Sequence, residues 1–167
     1  MIGKTYDYKS SDKSNFLSGK GYSIFVNENG TLNKTHTIEN KLTVIGEYNL
    51  QKLLYNNNII QTLLPRKLVD CMVDDHLQTG IQMATGHDLI ALSSISHNKK
   101  WRKLYDDVKN KATKELECAS LKGFGLLYYH DDFDNSVLIN MRNHNIYLIN
   151  FQNGLFDSSK NDRLNAL

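Results

Sequence analysis

The chain has 167 residues, 40% of them hydrophobic and 10% aromatic, and a formal net charge of +2. This is the profile of one globular domain long enough to bury a real core; so small a net charge is no argument for nucleic acid by itself. Two cysteines, Cys71 and Cys118, are too few for a disulfide framework; one bridge stays open, and two buried free thiols in a reducing compartment are the expectation. No apolar run approaches the roughly 20 residues that span a bilayer, and Met1–Gly21 lacks the apolar stretch of a signal peptide. A cytoplasmic protein with no membrane partner is therefore expected.

Taken in chain order, the expected single domain begins with a loose polar arm, residues 1–20, which Tyr6, Tyr8 and Phe16 can pin to the body. A β-hairpin region, 21–46, follows. Tyr22–Val26 and Thr31–Ile38 flank Asn27-Glu28-Asn29-Gly30, and Asn-Gly is the strongest short hairpin signal. Lys41–Ile45 reads as a third strand. Residues 49–122 change to helical period. Leu50, Leu53 and Leu54 share one spacing, as do Ile59, Ile60, Leu63 and Leu64. Pro65 suits the first turn of a helix carrying Leu68, Val69, Met72, Val73, Leu77, Ile81 and Ala84 to Gly86. A short helical piece, Asp88–Ser94, comes next. Ser96 can then cap the longest helix, Trp101–Leu121, whose stripe is Trp101, Leu104, Tyr105, Val108, Ala112 and Leu116, with Gly123 and Gly125 as its stop.

Residues 125–156 read as a β-meander of Leu126–His130, Val137–Met141 and Ile146–Phe151, before a tail at 157–167. Its strands are apolar on both faces, and such strands are usually covered on both. The expected fold class is α+β: an antiparallel sheet of N-terminal hairpin and C-terminal meander, packed with a central block of three to five helices. Cover from a second copy of the chain, a homodimer, stays open.

Three groups of residues carry the chemistry. The first is a basic helix. Lys99, Lys100, Arg102, Lys103, Lys109, Lys111 and Lys114 face only Asp106 and Asp107 across the same sixteen residues. Lys100, Lys103, Lys111 and Lys114 fall near one face, where ammonium groups can neutralise phosphates and release counterions. Trp101 beside Arg102 can stack on a base, although its helical position favours a core residue. The bland alternative is a solvated outer face.

The second group is His and Asp. His76, the pair His87-Asp88, and Asp106 or Asp107 are ligand types for a divalent metal, and their order resembles that of the HD-type metal phosphohydrolases. That resemblance implies a metal site built on helices at His76, His87 and Asp88; the eleven-residue step from His76 to His87 is shorter than the family's. Asp131–Asp134 offers oxygens to a hard cation, but Asx-rich loops need none. The third group, His130, Arg142 and His144 on the meander and its tips, has the residue types of a metal-independent RNase.

No P-loop, dinucleotide fingerprint, C-x-x-C, H-E-x-x-H or G-x-S-x-G occurs. The expected function is a small non-catalytic binding or regulatory protein using Lys99, Lys100, Trp101, Arg102, Lys103, Lys111 and Lys114 against nucleic acid or an acidic protein. The alternative is a phosphodiester-cleaving enzyme. No cofactor is expected for the binder, and a divalent metal only for the phosphohydrolase. Abundant Asn and Lys fit A+T-rich coding, and with it an accessory protein of a phage, virus or mobile element.

Overall fold

The computed structural model describes residues 5–19, 21–37, 41–84, 88–126, 133–151 and 154–156. Strands β1 (Thr5–Tyr8), β2 (Asn15–Gly19), β3 (Tyr22–Val26) and β4 (Leu32–His36) precede helix α1 (Lys41–Asn56). Strands β5 (Pro65–Val73), β6 (His76–Met83) and β7 (Leu89–Ala91) lead through two short 3-10 turns into helix α2 (Arg102–Leu121). Then come β8 (Phe124–Leu126), β9 (Val137–Asn140), β10 (Ile146–Leu148) and β11 (Gly154–Phe156). The expected block of three to five helices is overturned: the chain is rich in sheet, and its described residues form two α-helices.

The largest correction is at residues 65–83. Asp74 and Asp75 both take left-handed backbone, φ 49° and 66°. Two consecutive positive φ values are what a tight two-residue hairpin turn requires, and Asp tolerates them. Val73 pairs with His76 across that turn, and β5 and β6 zip together back to Pro65 and Met83. Val69, Cys71 and Val73 are buried in alternation with Asp70 and Met72, so the period is 2; the helical spacing of the same residues was coincidental. Lys41–Ile45 is corrected in the opposite direction, from strand to the first turns of α1. The buried stripe of that helix is Val44, Glu47, Gln51 and Leu54, and two polar residues on it conceal the 3.6 period from a purely apolar count.

Other expectations divide. The hairpin across Asn27–Gly30 is present as β3–β4. The arm at 1–20 contributes β1 and β2 to the sheet. Residues 61–64 form no helix, and 88–94 supplies β7 and a 3-10 turn. Asn98, not Ser96, caps the approach to α2: its Oδ1 accepts from the Lys100 main-chain nitrogen at 3.0 Å. Of the meander, Val137–Asn140 and Ile146–Leu148 pair as the β9–β10 hairpin, with β7 added beside β9; Phe124–Leu126 pairs with β11, and residues 127–130 of the expected first strand lie outside the described residues.

The main sheet has the order β1-β5-β6-β4-β3-β2, with β1 parallel to β5 and the remaining pairs antiparallel. Consecutive strands β1 and β2 thus lie on opposite edges, although only Lys9–Ser14 joins them. A flat sheet would hold those edges about 24 Å apart, while the link is folded by hydrogen bonds from Asp12 N to Lys9 O and from Asn15 N to Asp12 O. The sheet must curl, and it forms a half-barrel. Across its inside the Tyr8 and Phe25 rings stack at 4.2 Å. Tyr8 donates to Asn27 Oδ1 at 2.5 Å and accepts from Asn33 Nδ2 at 2.7 Å, while Asn33 Oδ1 accepts from Gln82 at 3.1 Å.

The other face of the curl packs on α1 and, through Leu138 and Ile149, on the β7–β9–β10 sheet. That small sheet is covered in turn by α2, whose Tyr105, Val108, Ala112, Leu116 and Ala119 meet Val137, Ile139, Ile146 and Leu148. β9 is therefore buried on both faces, as its composition predicts.

Candidate nucleic-acid interface

Helix α2 turns its apolar stripe inward and leaves the opposite face to Lys103, Lys111 and Lys114. Where that face meets the rest of the molecule there is a surface cleft of about 410 Å³. Lys111, Lys114, Glu115 and Cys118 form its helical wall; His144, Asn145 and Ile146 form the wall from the β9–β10 turn, and Gln61 closes one side. A second cleft of about 400 Å³ shares Gln61 and Glu115 and extends along Tyr55, Asn56, Asn58 and Thr62. Together they make a polar groove whose walls come from three parts of the chain.

Short-range chemistry holds the walls. Asn140 Oδ1 accepts from the main-chain nitrogen of Arg142 at 2.9 Å, and Asn143 Oδ1 accepts from Asn145 N at 2.9 Å. These Asx bonds shape the turn, and His144 sits in it at φ 61°, its own nitrogen donating to Asn140 O at 2.7 Å. Gln61 is tied to both neighbours: its carbonyl accepts from Leu148 N at 2.8 Å, and its nitrogen donates to Glu115 Oε2 at 3.4 Å. Neither Lys111 nor Lys114 has a carboxylate partner among the described residues. Both ammonium groups are exposed at the cleft and available to an anion.

The remaining cations of the basic helix are arranged differently. Lys99 and Lys100 are exposed at its start, with Lys100 Nζ 5.2 Å from the Trp101 ring. Arg102 pairs with Asp106 at 3.5 Å. Lys109 lies on another flank, 5.6 Å from the rings of Tyr105 and Phe133, where the Tyr105 hydroxyl donates to Asp134 Oδ2 at 2.8 Å. Burial and the Asp134 carboxylate hold that phenol above its usual range. Trp101 is half-buried and packs on the core cluster beneath α2, which uses its ring as structure.

Of the two catalytic sets of the sequence reading, the described residues place His76, Asp88, Arg142 and His144. His76 is an exposed residue at the start of β6 and stands on a strand, so the helical scaffold that an HD-type site needs is absent there. Asp88 takes φ 69° and pairs with Arg142 at 2.8 Å; that pair occupies the guanidinium assigned to RNA cleavage. Asp74 is a turn residue whose carboxylate accepts from the Ser10 hydroxyl and main-chain nitrogen, which lower its pKa. His87 and His130, with Asp131 and Asp132 of the proposed cation loop, lie outside the described residues. Among the described residues no three His, Cys, Asp or Glu side chains are grouped to hold a metal.

Of the residues singled out from the sequence, the fold thus gathers Lys111, Lys114 and His144. Glu115, Gln61 and Asn145 join them without any warning in the sequence; Glu115 ends a lysine-rich run and reads there as ordinary helix solvation. No protein-family model matches this chain, and no curated protein matches it in sequence.

Proposed function

We propose that the protein binds nucleic acid, with the phosphodiester backbone lying in the groove between α2 and the β9–β10 turn. The observation that carries this reading is the pair of ammonium groups of Lys111 and Lys114, which have no carboxylate partner among the described residues and line one cleft with His144. Each phosphate neutralised by a lysine releases condensed counterions, which supplies affinity without sequence information. Lys103, Lys100 and Lys99 continue the positive face toward the start of α2. Amide side chains at Gln61, Asn145 and Asn58 add donors and acceptors for phosphate, sugar or base edges. A cleft of about 410 Å³ falls within the usual size of small-ligand sites and accommodates part of a single strand better than a rigid duplex.

This role belongs with a cytoplasmic accessory protein of a phage, virus or mobile element, the setting favoured by the A+T-rich coding. No helix among the described residues is long and apolar enough to cross a membrane.

The test is fluorescence anisotropy with a labelled single-stranded oligonucleotide across a salt series. The logarithm of affinity should fall linearly with the logarithm of salt, and replacing both Lys111 and Lys114 by Glu should reduce that slope by roughly 1.4 if each contacts one phosphate of a single strand. Affinity unchanged by the double charge reversal would remove the groove as the binding surface; binding only to an acidic protein partner would replace nucleic acid as the ligand.

A further inference from the structure

The cleft contains more than a binding surface requires. Glu115 from α2 and His144 from the β9–β10 turn stand on its two walls, with Lys111 and Lys114 beside them. We infer that this is a metal-independent RNA-cleaving site, with Glu115 and His144 as its acid–base pair. The inference rests on the nucleic-acid reading and deepens it by naming the substrate and the reaction.

The chemistry needs four things: a base for the ribose 2′-hydroxyl, an acid for the leaving oxygen, positive charge for the phosphorane, and a fixed geometry. The carboxylate of Glu115 accepts the 2′-hydroxyl proton. O2′ attacks phosphorus and forms a new P–O bond as the bond from phosphorus to O5′ breaks, and the His144 imidazolium delivers a proton to O5′. The products are a 2′,3′-cyclic phosphate and a 5′-hydroxyl. Atoms and charge balance with no co-reactant, because the nucleophile belongs to the substrate. Acid and base come from opposite walls, as needed when attacking and leaving oxygens lie in line across phosphorus. Lys111 and Lys114 supply the charge that grows on the non-bridging oxygens.

The two groups are held differently. Glu115 is partly buried, and its Oε2 accepts from the Gln61 main-chain nitrogen, which anchors one oxygen and leaves the other for substrate. The His144 ring is exposed and has no side-chain partner among the described residues. Its placement comes from the backbone instead, through the left-handed φ and the hydrogen bond to Asn140 O. The third reactive group of the cleft is the exposed Cys118 thiol, which transesterification does not use.

The test uses the full chain, a 5′-labelled single-stranded RNA, and the DNA of the same sequence, in EDTA. Cleavage of RNA and not DNA is expected, with cyclic-phosphate ends. Glu115→Gln and His144→Ala should each slow it by about 10²-fold or more while oligonucleotide affinity stays within a few-fold. RNA bound in a manner that depends on Lys111 and Lys114, yet left intact, would overturn the inference and leave the binding reading standing. Absence of binding would remove both. Cleavage that survives Glu115→Gln and His144→Ala would overturn the assignment of the pair.

Discussion

The Lys34 ammonium meets the Glu47 carboxylate at 2.6 Å with about 1% of either side chain exposed. The pair joins β4 to α1. His36 Nε2 lies 2.7 Å from the other Glu47 oxygen, and Phe151 N donates to the first at 2.5 Å. Lys34 also donates to Asn150 Oδ1 at 2.9 Å. One carboxylate thus ties the half-barrel, the first helix and the segment after β10 into a single core.

Removing that carboxylate should be costly. Burial pushes the Glu47 carboxyl up, but the Lys34 ammonium, with His36 alongside, brings it down to about 2 from an ordinary value of 4.5. Because the folded value is the lower one, the contribution to stability is complete above pH about 4.5 and is lost as pH falls toward about 2. Glu47→Gln leaves the Lys34 charge buried without its counter-charge, a loss of about 3–5 kcal/mol at neutral pH. Urea denaturation of both proteins across this acid range checks the claim: the variant should show a much flatter decline.

Gly80 is a close-packing position of a different kind. A Cβ there would lie 3.1 Å from the Lys34 carbonyl oxygen, 3.2 Å from Cys71 Sγ and 3.3 Å from Val69 Cγ2. One of these neighbours is backbone in the centre of the sheet and has little room to move. Gly80→Ala should therefore destabilise by about 1–3 kcal/mol despite its better intrinsic propensity. A shifted urea midpoint with unchanged slope would show it.

The inside of the half-barrel makes a third prediction. Burial, with Cys71 alongside, holds the Tyr8 hydroxyl well above its usual range, so it remains a neutral donor. Tyr8→Phe keeps the stack on Phe25 but takes the acceptor from the buried Asn33 amide. About 1–3 kcal/mol should be lost. Phe25→Leu, which removes the stack and keeps the hydrogen bonds, separates the two contributions by chemical denaturation.

The two thiols should behave oppositely toward a thiol-specific reagent. Burial and the neighbouring Asp70 charge push Cys71 up to about 12, and it lies inside the curl. Cys118 is exposed at the groove. Native protein should release one equivalent of chromophore quickly, the second only on denaturation, and the fast one should vanish in Cys118→Ser. Bound oligonucleotide should slow the fast reaction, since Cys118 lines the proposed binding cleft.

Local chemistry by itself determined several elements. Asn27–Gly30 placed a hairpin, the Tyr105–Leu116 stripe placed α2, and the two-sided apolar runs placed β9 and β10 in the interior. Each signal is complete within a short window, so one strand of text carries it. Residues 65–83 defeated that reading because Val69 and Val73, four apart, share one face of a helix and one face of a strand alike, and two left-handed Asp residues made the choice. The first half of helix α1 was hidden because its core face carries Glu47, whose partners Lys34, His36 and Phe151 lie on either side of it in sequence, while Leu50, Leu53 and Leu54 announced the second half.

Only the tertiary structure decided which charged residues are interior struts and which stand at an open cleft. The basic run of α2 was legible, and its spacing already set Lys111 and Lys114 apart from Lys109, but that Lys109 turns onto Tyr105 and Phe133 while Lys111 and Lys114 line a cleft was decided by packing. The approach of His144 to that helix depends on β10 packing under α2 and on Gln61 bonding to both. Such proximity is a property of packed surfaces: apolar burial sets it, acting through residues that carry none of the site's chemistry.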